Sequence, residues 1–360
     1  MGDGVLKTYR ELLPLTGATP MITLGEGDTP LVKSNRLGPE LGCTELYFKL
    51  EGCNPTGSFK DRGMVVAMAK ALEEGSRAIM CASTGNTSAS AAAFGAYCDV
   101  PALVIIPKGE VAMGKLAQAM AYGAKIIMVK GNFDTALDLV REFTSKHEVT
   151  LVNSVNPHRL EGQKTAAFEI VDSLGEAPDY LFIPVGNAGN ITAYWLGFTE
   201  TYDIKLASTL PKMMGIQASG ASPIVDGSPV ELPETIATAI RIGRPANWDG
   251  ALRARDESNG AISAVSDHEI IQAYELMARE EGIFCEPASA AAVAGLMKLC
   301  RQEMGSDMGR VVCVITGTGL KDPELAARSV EADIIQVRPE IKGVEAVLTL
   351  PLALRGQKHG

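Results

Sequence analysis

Histidine is scarce in this chain of 360 residues: His147, His158, His268 and His359 are the four, and they lie far apart. That spacing is poor material for a zinc site or a Ser-His-Asp triad. The seven cysteines, Cys43, Cys53, Cys81, Cys98, Cys285, Cys300 and Cys313, form no C-x-x-C pair. Their odd number and apolar surroundings lead us to expect buried free thiols in a reducing cytoplasm, not a disulfide framework. No run of roughly 18 apolar residues occurs, so no membrane-spanning helix is expected. The opening residues Met1-Gly2-Asp3-Gly4-Val5-Leu6-Lys7 lack the apolar core of a secretory leader. Positive charge is short too. A net charge of -10 argues against nucleic acid or an anionic membrane as the main partner, though not against a small basic pocket. There is no G-K-[ST] phosphate loop and no G-x-G-x-x-G, which weakens nucleotide-hydrolase and nicotinamide readings. Internal repeats and low-complexity segments are absent.

What remains is an ordinary globular composition, 46% apolar and 21% charged. Two domains are more natural than one at this length. Short apolar runs alternate with helical patterns. Strands are expected at Leu31–Lys33, Glu45–Glu51, Ala78–Ala82, Ala102–Ile106, Lys125–Val129, Thr150–Asn153, Tyr180–Val185, Met213–Gln217 and Val311–Ile315. Helices are expected at Phe59–Leu72, Ser88–Tyr97, Gly114–Tyr122, Phe133–Lys146, Ile191–Phe198, Asp267–Glu280 and Ala288–Cys300. This alternation predicts an α/β fold of mostly parallel open sheets flanked by helices, with right-handed crossovers. Linker-like breaks at Asn54-Pro55 and Asn156-Pro157 suggest two lobes. Residues 57–153 would form the smaller, mobile one, and residues 1–56 with 154–360 the larger.

The chain is organised around Asn54-Pro55-Thr56-Gly57-Ser58-Phe59-Lys60-Asp61-Arg62-Gly63. Pro55 and Gly57 break regular structure. Ser58 then reads as the cap of a helix with Asp61 in its first turn. Lys60 falls at the positive end of that helix, which disfavours an ammonium and so favours a neutral amine. A neutral lysine amine forms a Schiff base with an aldehyde. Taken alone, the stretch also fits a solvated surface lysine.

Four further polar loops leave strand ends, where ligands bind in open α/β sheets. Ser83-Thr84-Gly85-Asn86-Thr87 offers amides and hydroxyls to a carboxylate or phosphate, or is a plain βα turn. Gly186-Asn187-Ala188-Gly189-Asn190 lets the backbone approach a ligand ahead of a helix N-terminus, as a phosphate cradle or a tight turn. Asn153-Ser154-Val155-Asn156-Pro157-His158-Arg159 ends in a guanidinium fork suited to an anion, or to an ordinary ion pair. Thr316-Gly317-Thr318-Gly319 places a neutral hydroxyl at a strand end. A phosphorylated aldehyde cofactor with an anionic amino-acid substrate accounts for the whole set, which points to pyridoxal phosphate.

These loops, with the Gly25-Glu26-Gly27-Asp28-Thr29-Pro30-Leu31 turn, resemble those of the threonine synthases. That family belongs to the tryptophan-synthase-β-like (fold type II) pyridoxal-phosphate enzymes. The likeness runs from about Gly25 to Pro323; the tail beyond about Glu331 adds no motif. The resemblance implies Lys60 as Schiff-base lysine and main acid/base. It implies Gly186, Asn187, Ala188, Gly189 and Asn190 around the cofactor phosphate, Asn86 at the pyridine hydroxyl and Thr316 at the ring nitrogen. Ser83, Thr84 and Thr87 would take the substrate carboxylate and nearby phosphate. Asn153, Ser154 and Arg159, with Lys60, would take the substrate phosphate. The implied reaction converts O-phospho-L-homoserine and water to L-threonine and phosphate, in a cytoplasmic homodimer without a metal. A threonine or serine dehydratase of the same fold is the nearest rival, and an inactive binding protein that keeps the pocket is another.

Overall fold

The structure, a computed structural model, describes residues 3–108, 113–131, 133–302, 308–325 and 335–349. Residues Met1–Pro323 form one compact unit, and Glu324–Gly360 form a second with helix Ile341–Thr349. Parts of the tail expected to carry no motif, residues 326–334 and 350–360, lie outside the described residues.

The first unit has strands β1 (Leu31–Lys33), β2 (Glu45–Leu50), β3 (Ala78–Ala82), β4 (Ala102–Pro107), β5 (Lys125–Val129), β6 (Val149–Leu151), β7 (Tyr180–Pro184), β8 (Lys212–Ala218), β9 (Ala261–Val265) and β10 (Arg310–Ile315). Its longer helices are α1 (Lys60–Glu73), α2 (Asn86–Tyr97), α3 (Met113–Ala121), α4 (Phe133–Thr144), α5 (Pro157–Leu174), α6 (Gly189–Asp203), α7 (Trp248–Glu257), α8 (Asp267–Glu280) and α9 (Pro287–Gln302). The strands make a six-stranded sheet, β1-β2-β10-β7-β8-β9, and a four-stranded sheet, β5-β4-β3-β6. Every pairing is parallel except β1 with β2. The expected α/β class is therefore what is found. One core, around Ile183, Tyr194, Phe198 and Val312, lies against the larger sheet. Another, around Val65, Ile79, Phe94 and Val104, packs α1 and α2 onto the smaller one. No helix among the described residues is long and apolar enough to cross a membrane.

Several expectations need correction. Asn156-Pro157, read as a break, is the start of α5. The Asn156 side chain accepts the His158 N–H at 2.9 Å, and Pro157 opens the helix. Strand β6 stops at Leu151, short of Asn153. None of the seven cysteines is in a disulfide, but Cys53 is exposed and Cys98 and Cys300 are half-buried. Strand β9 and helices α5 and α7 are not among the expected elements.

Helices α1 and α5 cross with backbone touching backbone. A Cβ on Gly63 would meet the Arg159 carbonyl oxygen at 2.5 Å, and one on Gly162 would overlap the Arg62 carbonyl. This crossing carries Arg159 to the foot of α1. It is pinned by a buried charge cluster. Arg62 bonds Glu51 and Glu169, each at 2.6 Å, and Lys49 reaches Glu169 at 2.6 Å. Thr29 Oγ1 donates to Glu51 at 2.7 Å, and the Asp28 N–H donates to Glu169 at 2.7 Å. The Gly25–Leu31 turn is thereby docked onto the same charges.

Burial raises the Glu169 carboxyl, but Arg62 and Lys49 outweigh it and hold the group down to about 2. A depressed carboxylate stabilises the fold fully above its unfolded value near pH 4.5, and this is lost as pH falls toward 2. The contribution is on the order of 3 kcal/mol. Urea midpoints should therefore drop across that window, and E169Q should flatten the acid limb. A wild-type limb retained in E169Q would show that other groups carry the acid sensitivity.

Candidate active site

Lys60 opens α1 as expected, but Ser58 does not cap it. Ser58 Oγ is buried and has no hydrogen-bond partner, while its backbone bridges to Gly317. The chain is used here to join two loops. The Phe59 N–H donates to the Thr316 carbonyl, and the Thr318 N–H donates to the Gly57 carbonyl, both at 3.0 Å. Gly57 permits this with φ of +87°, and a Cβ there would press Thr318 Cγ2 at 2.9 Å. Asp61 faces inward, accepting from the Thr56 N–H at 2.7 Å and from the Thr56 and Ser90 hydroxyls at 2.6 Å.

The Lys60 amine lies 4.1 Å from the Phe59 ring centroid. Its pKa is lowered to about 7, first by burial and then by the charge of Arg159, with Glu286 opposing. The neutral amine was expected from the helix dipole; desolvation is the larger cause.

Arg159 is 1% exposed and sits in the first turn of α5. Nη1 donates to the Val152 carbonyl at 2.8 Å, while Nε has no partner. Among the described residues it makes no ion pair. Burial lowers its pKa to about 10. A buried guanidinium without a carboxylate is costly unless an anion arrives to pair with it.

The Ser83–Thr87 loop turns into α2. Ser83 Oγ accepts the N–H groups of Gly85 and Ser88 at 3.2 and 3.3 Å. Thr84 and Thr87 are half-buried beside it. Asn86 begins the helix and donates through Nδ2 to Glu286 at 3.0 Å. Asn153 is a latch: its amide exchanges two 2.8 Å bonds with the backbone of Ala82, aligning the ends of β3 and β6.

At the end of β7, Ala188 takes a left-handed φ of +64° and Gly189 starts α6. Gly186 lies so close to Ile240 that a Cβ would meet its Cα at 2.9 Å. Asn190 is 8% exposed, and neither polar atom of its side chain has a partner. Asn187 accepts the Ala246 N–H at 3.3 Å. Asn247 Nδ2 reaches the carbonyls of Ser154 and Asn187 at 3.3 and 3.4 Å, tying two of the loops together.

Thr316, 4% exposed, closes the set from β10. Its hydroxyl lies 3.0 Å from Glu286 Oε1 and 2.9 Å from Ser289 Oγ.

The family model described as pyridoxal-phosphate dependent enzyme matches residues 22–317. A threonine synthase of Halalkalibacterium halodurans is 58% identical over 330 residues, covering 92% of this chain and 93% of that protein. One from Synechocystis is 56% identical over 327 residues, covering 91% and 85%. The chain belongs to the threonine synthase family of pyridoxal-phosphate-dependent enzymes. The fold of maize serine racemase is similar, with a TM-score of 0.72 at 20% identity, covering 91% of this chain and 97% of that one.

A threonine synthase needs pyridoxal phosphate, and the residues present suit that group. They supply an amine shifted toward neutrality, a helix N-terminus behind a backbone cradle, and a buried Asn190 amide whose donor and acceptor are both unsatisfied. Two residues of this threonine synthase fold escaped the sequence reading, Glu286 and Asn247. An acid or an asparagine just before a helix reads as a cap, and both stand there, ahead of α9 and α7.

Proposed function

We propose that this chain makes L-threonine and phosphate from O-phospho-L-homoserine and water, with pyridoxal phosphate held by Lys60, Asn86, Gly186–Asn190 and Thr316. Bound there, the cofactor supplies an electron sink that acidifies the substrate protons next to its amine. Lys60 would hold the cofactor at its aldehyde and move a proton at the substrate α carbon. The amides of Gly186–Asn190 and the Asn190 side chain take the cofactor phosphate. Asn86 would hold the pyridine hydroxyl and Thr316 the ring nitrogen. Ser83, Thr84 and Thr87 take the substrate carboxylate. Ser154 and Arg159 would take the substrate phosphate, with Asn153 latching the strand ends beside them through Ala82, and Arg159 would neutralise the phosphate as it departs.

The observation that carries this reading is Arg159. It is a buried guanidinium with an unpartnered Nε, electrostatically coupled to Lys60. A dehydratase needs the lysine and the glycine cradle but no second anion site. Closure of the lobe around residues 57–153 would exclude water during the chemistry. A homodimer, usual in the family, and a cytoplasmic setting, which suits seven cysteines outside any disulfide, complete the proposal. The test is the product ratio from O-phospho-L-homoserine, with L-homoserine as the control that lacks the phosphate. Turnover of the control at a similar rate would remove the role given to Arg159.

A further inference from the structure

Glu286 is 4% exposed and lies just before α9. It touches two of the proposed cofactor ligands at once. Oε2 receives the Asn86 amide at 3.0 Å, and Oε1 faces Thr316 Oγ1 at 3.0 Å. The carboxyl rests on glycine backbone: a Cβ on Gly317 would meet Glu286 Cδ at 2.6 Å. Thr316 also faces Ser289 Oγ at 2.9 Å. Ser289 in turn accepts the Gly317 N–H at 3.0 Å and reaches the Gly317 carbonyl at 3.4 Å.

Two proton arrangements satisfy these distances. If Glu286 is a carboxylate, the Thr316 hydroxyl must donate to it, and Thr316 turns only a lone pair to any other neighbour. If Glu286 is a neutral acid, it donates to Thr316 instead. The Thr316 proton is then free, because Thr316 accepts from Glu286 and Ser289 donates to Thr316 across the 2.9 Å contact. The two arrangements differ by one proton on Glu286 and a rotation of one hydroxyl.

We infer that Glu286 is a positioning residue that sets the hydrogen-bond polarity of Thr316: as a neutral acid it turns the Thr316 O–H outward as a donor to the cofactor ring nitrogen. The inference rests on the reading that Thr316 faces that nitrogen. Burial supports the neutral acid, since it raises the Glu286 pKa. The Asn86 amide, Thr316, Lys321 from the turn after β10 and Lys60 from α1 pull the other way without reversing it. Cys285 is the adjoining titratable group, itself pushed up to about 12 by burial. Raising the pH strips the proton from Glu286, draws the Thr316 hydroxyl to the carboxylate and leaves the ring nitrogen without its donor.

The experiment follows the magnetic resonance shift of an isotope-labelled ring nitrogen in the holoenzyme across pH. Wild type should show one step, from hydrogen-bonded at low pH to unbonded at high pH. In E286Q the amide donates to Thr316 permanently, so the step should vanish and the low-pH shift should persist. A step retained in E286Q, or none in wild type, overturns the inference. Infrared spectra of wild type give an independent check that needs no variant. A buried carboxylic-acid band should disappear at the pH of the nitrogen step, and its absence at low pH overturns the inference. T316V separates the two readings. A nitrogen shift equal to wild type at every pH would mean that Thr316 does not face the ring, and the placement of Thr316 falls first.

Discussion

Lys60→Ala should abolish turnover, lowering kcat by at least about 10³-fold, because in the proposed function one side chain would both anchor the cofactor and carry the proton. The loss should not come from unfolding. Lys60 lies in the first turn of α1, and the packing of that helix comes from Met64, Val65 and Met68 further along. Equilibrium denaturation should show the variant as stable as wild type or more so, since a lysine with a lowered pKa opposes folding at neutral pH. The sign is definite. The amine gains its proton more readily in the unfolded chain, so its penalty grows as pH falls from about 10.5 toward the folded value near 7. In the wild-type apoprotein the rate of covalent attachment to an aldehyde should rise with pH around a midpoint near 7. A midpoint close to 10 would mean that Lys60 is an ordinary solvated amine.

Arg159→Ala should lower kcat/KM for O-phospho-L-homoserine by about 10²- to 10³-fold, the usual effect of leaving a desolvated anion unpaired. Arg159→Lys should restore only part of this, because an ammonium cannot match the planar fork. A second readout separates substrate binding from mere packing. The Arg159 charge helps to lower the Lys60 pKa, so its removal should move the Lys60 midpoint upward. An unchanged kcat/KM would make Arg159 a structural residue held by the Val152 carbonyl.

The loops were legible because a turn needs particular residue types. Gly57, Gly186 and Gly189 mark close backbone approach, and alternating short apolar runs mark parallel strands. Helix α5 was hidden for the opposite reason. Gly162, Gln163, Lys164, Thr165 and Glu169 are buried with Arg159, so no polar face announces its period. Its start signal, Asn156-Pro157, is also the signature of a break. The low pKa of Lys60 was anticipated with the right direction and the wrong main cause, since burial is a tertiary property. Asn153 and Asn190 look alike in sequence. Only packing shows that one amide is spent on Ala82 while the other has no protein partner. Glu286 reads locally only as a helix cap, because its site partners lie 200 and 30 positions away.

The most direct measurement is simultaneous assay of phosphate and threonine released from O-phospho-L-homoserine by the cofactor-loaded protein. Equal amounts, appearing together and lost together in Lys60→Ala, are predicted. Phosphate accompanied by 2-oxobutanoate in place of threonine would contradict the account, because elimination would then proceed without hydration. So would a protein that deaminates threonine or serine and leaves the phosphorylated substrate untouched.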